Sequence, residues 1–387
     1  MLDQARRLQE QLTGWRREFH QNPELGFQEV RTAARVAEEL QVLGYRTISG
    51  VGRTGVVGER GQGQPIIAIR ADMDALPIQE ANPVPYASKM PGVMHACGHD
   101  AHIAIALGTA SLLAHKDFPG TVRFLFQPAE EIGDEEGVSG AVRMIEDGAM
   151  EGVEAVIALH VDATTPAGDI SIEEGGASAG VDTFYATIIG RGGHGAMPHF
   201  VVDPVYLCSH VLLALHGIVS RRIDPYDPAV VSIGSIHGGE VSNVIPDRVE
   251  ITGTIRFLSD EVQRKIQAEV ERALSVARTL GGDYQLRWEI GYPPCENHPE
   301  ISDLIRRVGQ DLLGPEHLAP RRRTMGAEDF GFISRRARGA MFWLGCAGEG
   351  EERRHHSPNF DIDESCLPIG VAILGETALR LLRRPPD

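Results

Sequence analysis

Three apolar runs in the first half of the chain stop on residues that do not belong in a core. Pro65-Ile66-Ile67-Ala68-Ile69 leads into Arg70-Ala71-Asp72-Met73-Asp74, TVRFLF (121–126) into Gln127-Pro128-Ala129-Glu130-Glu131, and AVIAL (155–159) into His160. Runs of this length and composition read as buried strands, and helical stretches separate them. Strands alternating with helices predict a mixed, mostly parallel α/β sheet flanked by helices. Such sheets bind ligands outside the carboxyl ends of their strands. Asp72, Asp74, Glu130, Glu131 and His160 are therefore expected near one site.

Between the first two strands' ends lies HACGHDAH (95–102), with three imidazoles, one thiol and one carboxylate in eight residues. Buried groups of this kind need hydrogen-bond partners or a metal. Gly98 lets the backbone turn so that Cys97 and His99 face one ion, and thiolate with imidazole suits zinc and related divalent metals. The tripeptide alone also allows a redox cysteine or histidines capping a helix. Glu130-Glu131 adds a carboxylate to bind metal and another to take a proton from water; the plainer alternative is a solvated acidic loop running on through Asp134, Glu135 and Glu136. With His160 and His356 offered from other segments, the metal reading is the stronger. Asp72, Asp74 and Asp100 are expected behind the ligands, holding imidazoles in one tautomer.

At 387 residues the chain is long enough for two domains. Its pattern changes near residue 180. VDTFYATII (181–189) alternates like a half-buried strand, and the order that follows is β-α-β-β-α-β, the ferredoxin-like pattern. The expected organisation is a catalytic domain over 1–180 and 292–387, with a lid or dimerisation domain inserted at 181–291. Within the insert, His194 is flanked by glycines, Asn243 lies in SNVIP, and Arg256 follows in TIR. Together they offer donors for a carbonyl oxyanion and a substrate carboxylate, although Arg256 reads equally well as a surface strand residue. A net charge of −17 argues against nucleic acid or an anionic membrane as partner. The charged, amphipathic N-terminus lacks a signal-peptide core, and no later apolar run is expected to reach membrane-spanning length, so a cytoplasmic location is expected. Five scattered cysteines predict no disulfide framework.

HQNPELGFQE, RADMDALPIQE, MHACGHDAH, QPAEE, the ALH at 158–160, GRGGHGAMPH, NVIP, GAEDF and HSPNFDID follow one another along essentially the whole chain. In that order they resemble the dinuclear metal amidohydrolases that include hippurate hydrolase, N-acyl-L-amino-acid amidohydrolases, aminoacylase/carboxypeptidases and indole-acetyl-amino-acid hydrolases. The resemblance implies two divalent ions per subunit, bridged by Cys97 and otherwise held by His99, Glu131, His160 and His356. Zinc is expected, with manganese, nickel or cobalt as alternatives. Glu130 is implied as the general base, His194 as a catalytic residue acting across a dimer interface, and Asn243 and Arg256 as substrate-binding residues. The implied reaction is hydrolysis of the amide bond of an N-acyl-L-amino acid; cleavage of short peptides at the same site, as a dipeptidase or carboxypeptidase, is the alternative. The implied partners are that small molecule and a further copy of the chain, as a homodimer or tetramer through the inserted domain.

Overall fold

A computed structural model describes residues 1–320, 324–348, 350 and 353–383. The polar stretch 348–354, which approaches low complexity, lies partly outside them. The described residues form two compact units. Unit one draws on Met1–Gly175, Glu296–Arg322 and Phe332–Asp387, and unit two on Gly176–Cys295 and Arg323–Gly331.

Among the described residues of unit one, seven strands form a single sheet. Their order is Arg46–Val51, Gly55–Gln62, Gly120–Gln127, Ile66–Asp72, Val153–Pro166, Arg338–Ala347 and Ile170–Ser171. The four from Gly120–Gln127 to Arg338–Ala347 run parallel, and the outer pairings are antiparallel. Ile67, Ala68, Ile69, Val156, Ile157 and Ala158 are buried at successive positions, as they must be in a sheet covered on both faces. Arg46–Val51 escapes a sequence reading because most of its side chains are exposed and no apolar alternation marks it. The strand carrying His160 runs on to Pro166 rather than stopping there. Its ladder with Ile66–Asp72 nevertheless ends at Ala158, so His160 clears its neighbour on that side.

Helix His99–Leu113 buries every residue except Ser111. A helix apolar all round has no solvent face and must be enclosed. Strands lie on one side of it, and helices Gln9–Gln21 and Leu367–Arg383 also pack against it. Each of its fully buried Ile and Leu side chains contributes about 1.5–3 kcal/mol. The amphipathic N-terminus forms two helices, Leu2–Arg6 and Gln9–Gln21, the second presenting Leu12, Trp15 and Phe19 as a buried stripe. One expectation needs correcting: the stretch Glu364–Arg383 has the length and apolarity to cross a membrane. Its apolar side chains are instead taken up in the core of unit one.

Unit two is built on an antiparallel sheet in the order Asp283–Ile290, Gly175–Ile189, Arg248–Phe257, Ala229–His237. Helices Pro204–Arg222 and Asp260–Leu274 share a core with one face of it. This is the ferredoxin-like arrangement. Period-two alternation assigns the faces: Val249, Ile251, Ile255 and Phe257 are buried, whereas Glu250, Thr252, Thr254 and Arg256 point to the other side. Both helices start on side-chain caps, Asp203 accepting from Val205 N at 2.9 Å and Ser259 from Val262 N at 3.3 Å.

Candidate metal centre

Gly98 sits at φ +96° and caps the N-terminus of helix His99–Leu113. A Cβ there would lie 2.3 Å from Val161 Cγ2, so both the conformation and the space demand glycine. Cys97, before the turn, and His99, in the first helical position, therefore share one pocket. Asp74 brings in the next segment, its Oδ2 accepting from Glu131 N at 3.0 Å. His356, at φ +59°, donates its backbone N–H to Ala96 O at 2.8 Å. That bond ties a loop near the end of the chain to the residue beside Cys97.

The donor atoms of Cys97, His99 and His160 lie within 4.8 Å of one another, and so do those of Cys97, Glu131 and His356. Cys97 is common to both sets. Its Sγ is 3.5 Å from His160 Nε2, while Glu131 Oε1 lies 3.1 Å from His356 Nε2 and 4.0 Å from His99 Nε2. Glu130 joins His99 and Glu131 in a third set within the same limit. All five expected ligands and the expected base thus gather in unit one.

The histidine tautomers are set by their outer contacts. His99 Nδ1 lies 2.8 Å from Asp74 O and His160 Nδ1 2.7 Å from Val161 O. A carbonyl only accepts, so both rings carry a proton on Nδ1 and direct Nε2 toward the cluster. His99 Nε2 is buried with no hydrogen-bond partner, a condition that costs about 1–3 kcal/mol. A cation removes that cost.

Charge points the same way. Burial alone would strip the proton from His99, but Asp72, and then Asp74 and Glu131, hold it on up to about 10. Burial pushes the Cys97 thiol well above its usual value, and Glu131, Glu130 and Asp72 push it further. The metal-free cluster therefore holds protons where ligands need lone pairs. Filling it should release about two protons at neutral pH, one each from His99 and Cys97. Because His99 stays protonated below about 10, affinity should climb as pH rises from about 6 to about 8, by roughly tenfold per unit for each proton displaced. Calorimetric metal titrations in buffers of different ionisation enthalpy count those protons. Binding without proton release would mean that metal does not enter through these two atoms.

Residues 68–380 match the model of peptidase family M20/M25/M40. The chain belongs to this family. It is similar to Thermostable carboxypeptidase 2 of Saccharolobus solfataricus, 40% identical over 365 residues that span 92% of this chain and 91% of that protein. It is also similar to N-acetyl-L-cysteine deacetylase of Bacillus subtilis, 38% identical over 383 residues, 97% of this chain and 89% of that one. Among solved structures it resembles the Bacillus subtilis YXEP protein, described as a dinuclear metal binding peptidase from the M20 family. There the TM-score is 0.85 at 33% identity, over 97% of this chain and 99% of that one. The M20 chain is accordingly a metal-binding hydrolase of amide bonds.

Around the donor cluster of this M20 hydrolase, the supporting residues divide differently from expectation. His102 is not available to metal. It donates from Nδ1 to Asp72 Oδ1 at 2.6 Å and accepts from Val161 N at Nε2, 3.0 Å away. Burial holds that ring neutral down to about 4. Asp74 touches both His99 and the Glu131 amide, as a supporting residue should. Asp100 does not touch the cluster histidines. Its Oδ2 takes Arg16 Nε and His20 Nδ1, each at 2.8 Å, because neighbouring residues on a helix point about 100° apart. His355 is half-buried; its Nε2 accepts from Ala163 N at 3.3 Å and its ring lies 5.4 Å from that of His160.

Unit two presents the remaining expected residues. His194 pairs with Val244 in a two-stranded ladder, and Gly195 N donates to Asn243 O at 2.8 Å, so His194 and Asn243 share one small hairpin. His194 Nδ1 accepts from Ala196 N at 3.0 Å, which leaves the ring proton on Nε2. Arg256 is half-buried between Val181 and Val230. Among the described residues no carboxylate pairs with it, and burial lowers its pKa.

Proposed function

We propose that this hydrolase cleaves the amide bond of N-acyl-L-amino acids, releasing a carboxylic acid and a free amino acid. The observation that supports this best is the pair of donor sets sharing Cys97, with Glu130 grouped beside His99 and Glu131. Cys97, His99 and His160 hold one divalent ion in this proposal, and Cys97, Glu131 and His356 the other. A thiolate, imidazoles and a carboxylate together suit zinc, and also admit manganese, nickel or cobalt. Bound there, the ions supply Lewis acidity toward a water and toward the scissile carbonyl.

The chain's own residues do the rest. Glu130 takes the proton of the attacking water and delivers it to the leaving nitrogen. His194, acting across the dimer interface, offers its Nε2–H to the carbonyl oxygen as negative charge develops there. Arg256, which no carboxylate pairs with among the described residues, and Asn243 take the carboxylate of the amino acid. Assembly as a homodimer or tetramer through unit two belongs to the same proposal, supported by exposed Val205, Tyr206 and Leu213 on helix Pro204–Arg222. The acidic net charge supports a small-molecule substrate rather than nucleic acid or membrane, and five free cysteines support a cytoplasmic location.

Short peptides are the second reading, favoured by the likeness to a protein named as a carboxypeptidase. Both substrates present an amide beside a free carboxylate, so the shape of the acyl pocket separates them. A metal-reconstituted panel of N-acetyl, N-benzoyl and indole-acetyl amino acids beside dipeptides is the test. Turnover of the acyl amino acids is expected. Turnover confined to dipeptides would move the assignment to a peptidase, and none at all with both ions bound would sink both.

A further inference from the structure

The turn that carries Glu130 and Glu131 has a shape that L-residues rarely adopt. Ala129 sits at φ +45°, and only the surroundings keep it there. Three contacts do so. Gly140 N donates to Ala129 O at 3.0 Å, Glu131 N to Asp74 Oδ2 at 3.0 Å, and Ala129 N to Glu29 Oε1 at 2.8 Å.

Glu29 is the unexpected member. It is fully buried, and its second oxygen accepts from Thr54 Oγ1 at 2.5 Å. It stands at the N-cap of helix Val30–Val42, yet its side chain caps nothing there. Glu24 does that work, taking Arg31 N and Thr32 N at 3.0 and 2.7 Å. The same segment is pressed onto the turn at Gly26, where a Cβ would meet Ile132 Cγ2 at 2.5 Å and Ala129 Cβ at 3.0 Å. It also grips the Asp74 loop, since Glu24 O accepts from Ala75 N at 2.8 Å. Burial, and then the charge of Asp74, push the Glu29 carboxyl up to about 7. Charged or neutral, it keeps an oxygen able to accept from the Ala129 amide.

We propose that Glu29 is a positioning residue: its grip on the Ala129 amide holds the turn in the conformation that keeps Glu130 and Glu131 beside His99. The proposal rests on Glu130 being the general base, and it makes Glu29 act through that residue without touching substrate. What Glu29 supplies is a hydrogen-bond acceptor for a left-handed residue, and that has a specific consequence. An amide oxygen should replace the carboxylate, and a glycine at 129 should make the acceptor less necessary.

The test is steady-state kinetics with saturating metal on Glu29→Ala, Glu29→Gln and the double variant Glu29→Ala/Ala129→Gly, beside Glu130→Gln. Glu29→Ala should lower kcat by about ten- to a hundredfold with KM nearly unchanged. Glu29→Gln should keep most of kcat, its oxygen accepting from Ala129 N and its NH₂ donating to Thr54. The double variant should recover a large part of what Glu29→Ala loses, which a general loss of stability would not allow. The proposal is overturned if Glu29→Ala keeps kcat within about twofold of the parent, or if the glycine gives no recovery. It is equally overturned if Glu29→Gln falls as far as Glu29→Ala; the Gln variant alone decides this should the Ala variant not fold. An active Glu130→Gln would instead remove the base assignment, so the two failures are distinguishable.

Discussion

Replacing Glu130 with Gln should leave two ions bound per chain while kcat falls by about 10²- to 10⁴-fold. Gln matches Glu in shape and still hydrogen-bonds, but it cannot accept a proton at neutral pH. Neither of the donor sets that share Cys97 includes Glu130, so the five ligand side chains survive the change. Glu130 is also buried, which limits how far bulk water can replace it as the proton acceptor. Metal analysis, far-UV circular dichroism and initial rates on one preparation separate the outcomes. Near-parental activity would show that the base is another group. Loss of an ion together with activity would make Glu130 a ligand, through the set it forms with His99 and Glu131.

The second large effect is on stability. Arg16 is fully buried, with Nε 2.8 Å from Asp100, Nη2 2.9 Å from Asp361 and Nη1 3.3 Å from Glu364. Burial alone would favour a neutral guanidinium, but these three carboxylates outweigh it and raise its pKa. His20 joins the network, its Nδ1 2.8 Å from Asp100 and its Nε2 3.2 Å from Glu80, and these carboxylates raise its pKa against the effect of burial. Arg16→Met keeps most of the volume and leaves Asp100 and Asp361 without their main counter-charge. Unfolding free energy should drop by about 3–5 kcal/mol. Arg16→Lys should recover little, because one ammonium cannot meet three carboxylates set around a planar fork. Denaturant unfolding followed by tryptophan fluorescence reads this, since Trp15 and Trp343 both lie in unit one. A loss below about 1 kcal/mol would show that the network contributes no more than a surface pair. The pH dependence follows from the acids. Asp100 and Asp361 are held below their ordinary range, so their contribution is present above about pH 4 and fades as pH falls through their lowered values.

Sequence carried the donor cluster further than it carried its support. Cys97 and His99 are separated by one glycine, so their convergence is a local property readable from three residues. His160, Glu130 and Glu131 follow from strand ends, a rule about sheets. His356 has no local signal; only the order of motifs along the chain pointed to it, and the bond from its backbone to Ala96 is what brings it in. Asp100 was misplaced because adjacency to His99 in sequence was taken for adjacency in space, which a helix denies. His102, three residues from His99, does share its face, with ring centroids 5.4 Å apart. Glu29 was unreadable for a different reason. Its partner is a backbone amide 100 residues away, and no residue type advertises such a bond.

The strand Arg338–Ala347 lies between Val153–Pro166 and Ile170–Ser171, inside the sheet rather than at its edge. A ribosome that has reached residue 300 has therefore made the Cys97, His99, Glu131 and His160 segments without the strand beside them or the loop bearing His356. Unit two, whose core strands and helices are contiguous in sequence, can fold while the larger unit still waits. Until residues 338–356 emerge, the nascent chain exposes a parallel edge and an incomplete thiol–imidazole cluster together. That long sequence separation makes the large unit slow to close, and it makes cofactor loading a late event in the life of the polypeptide rather than a nucleus for its folding.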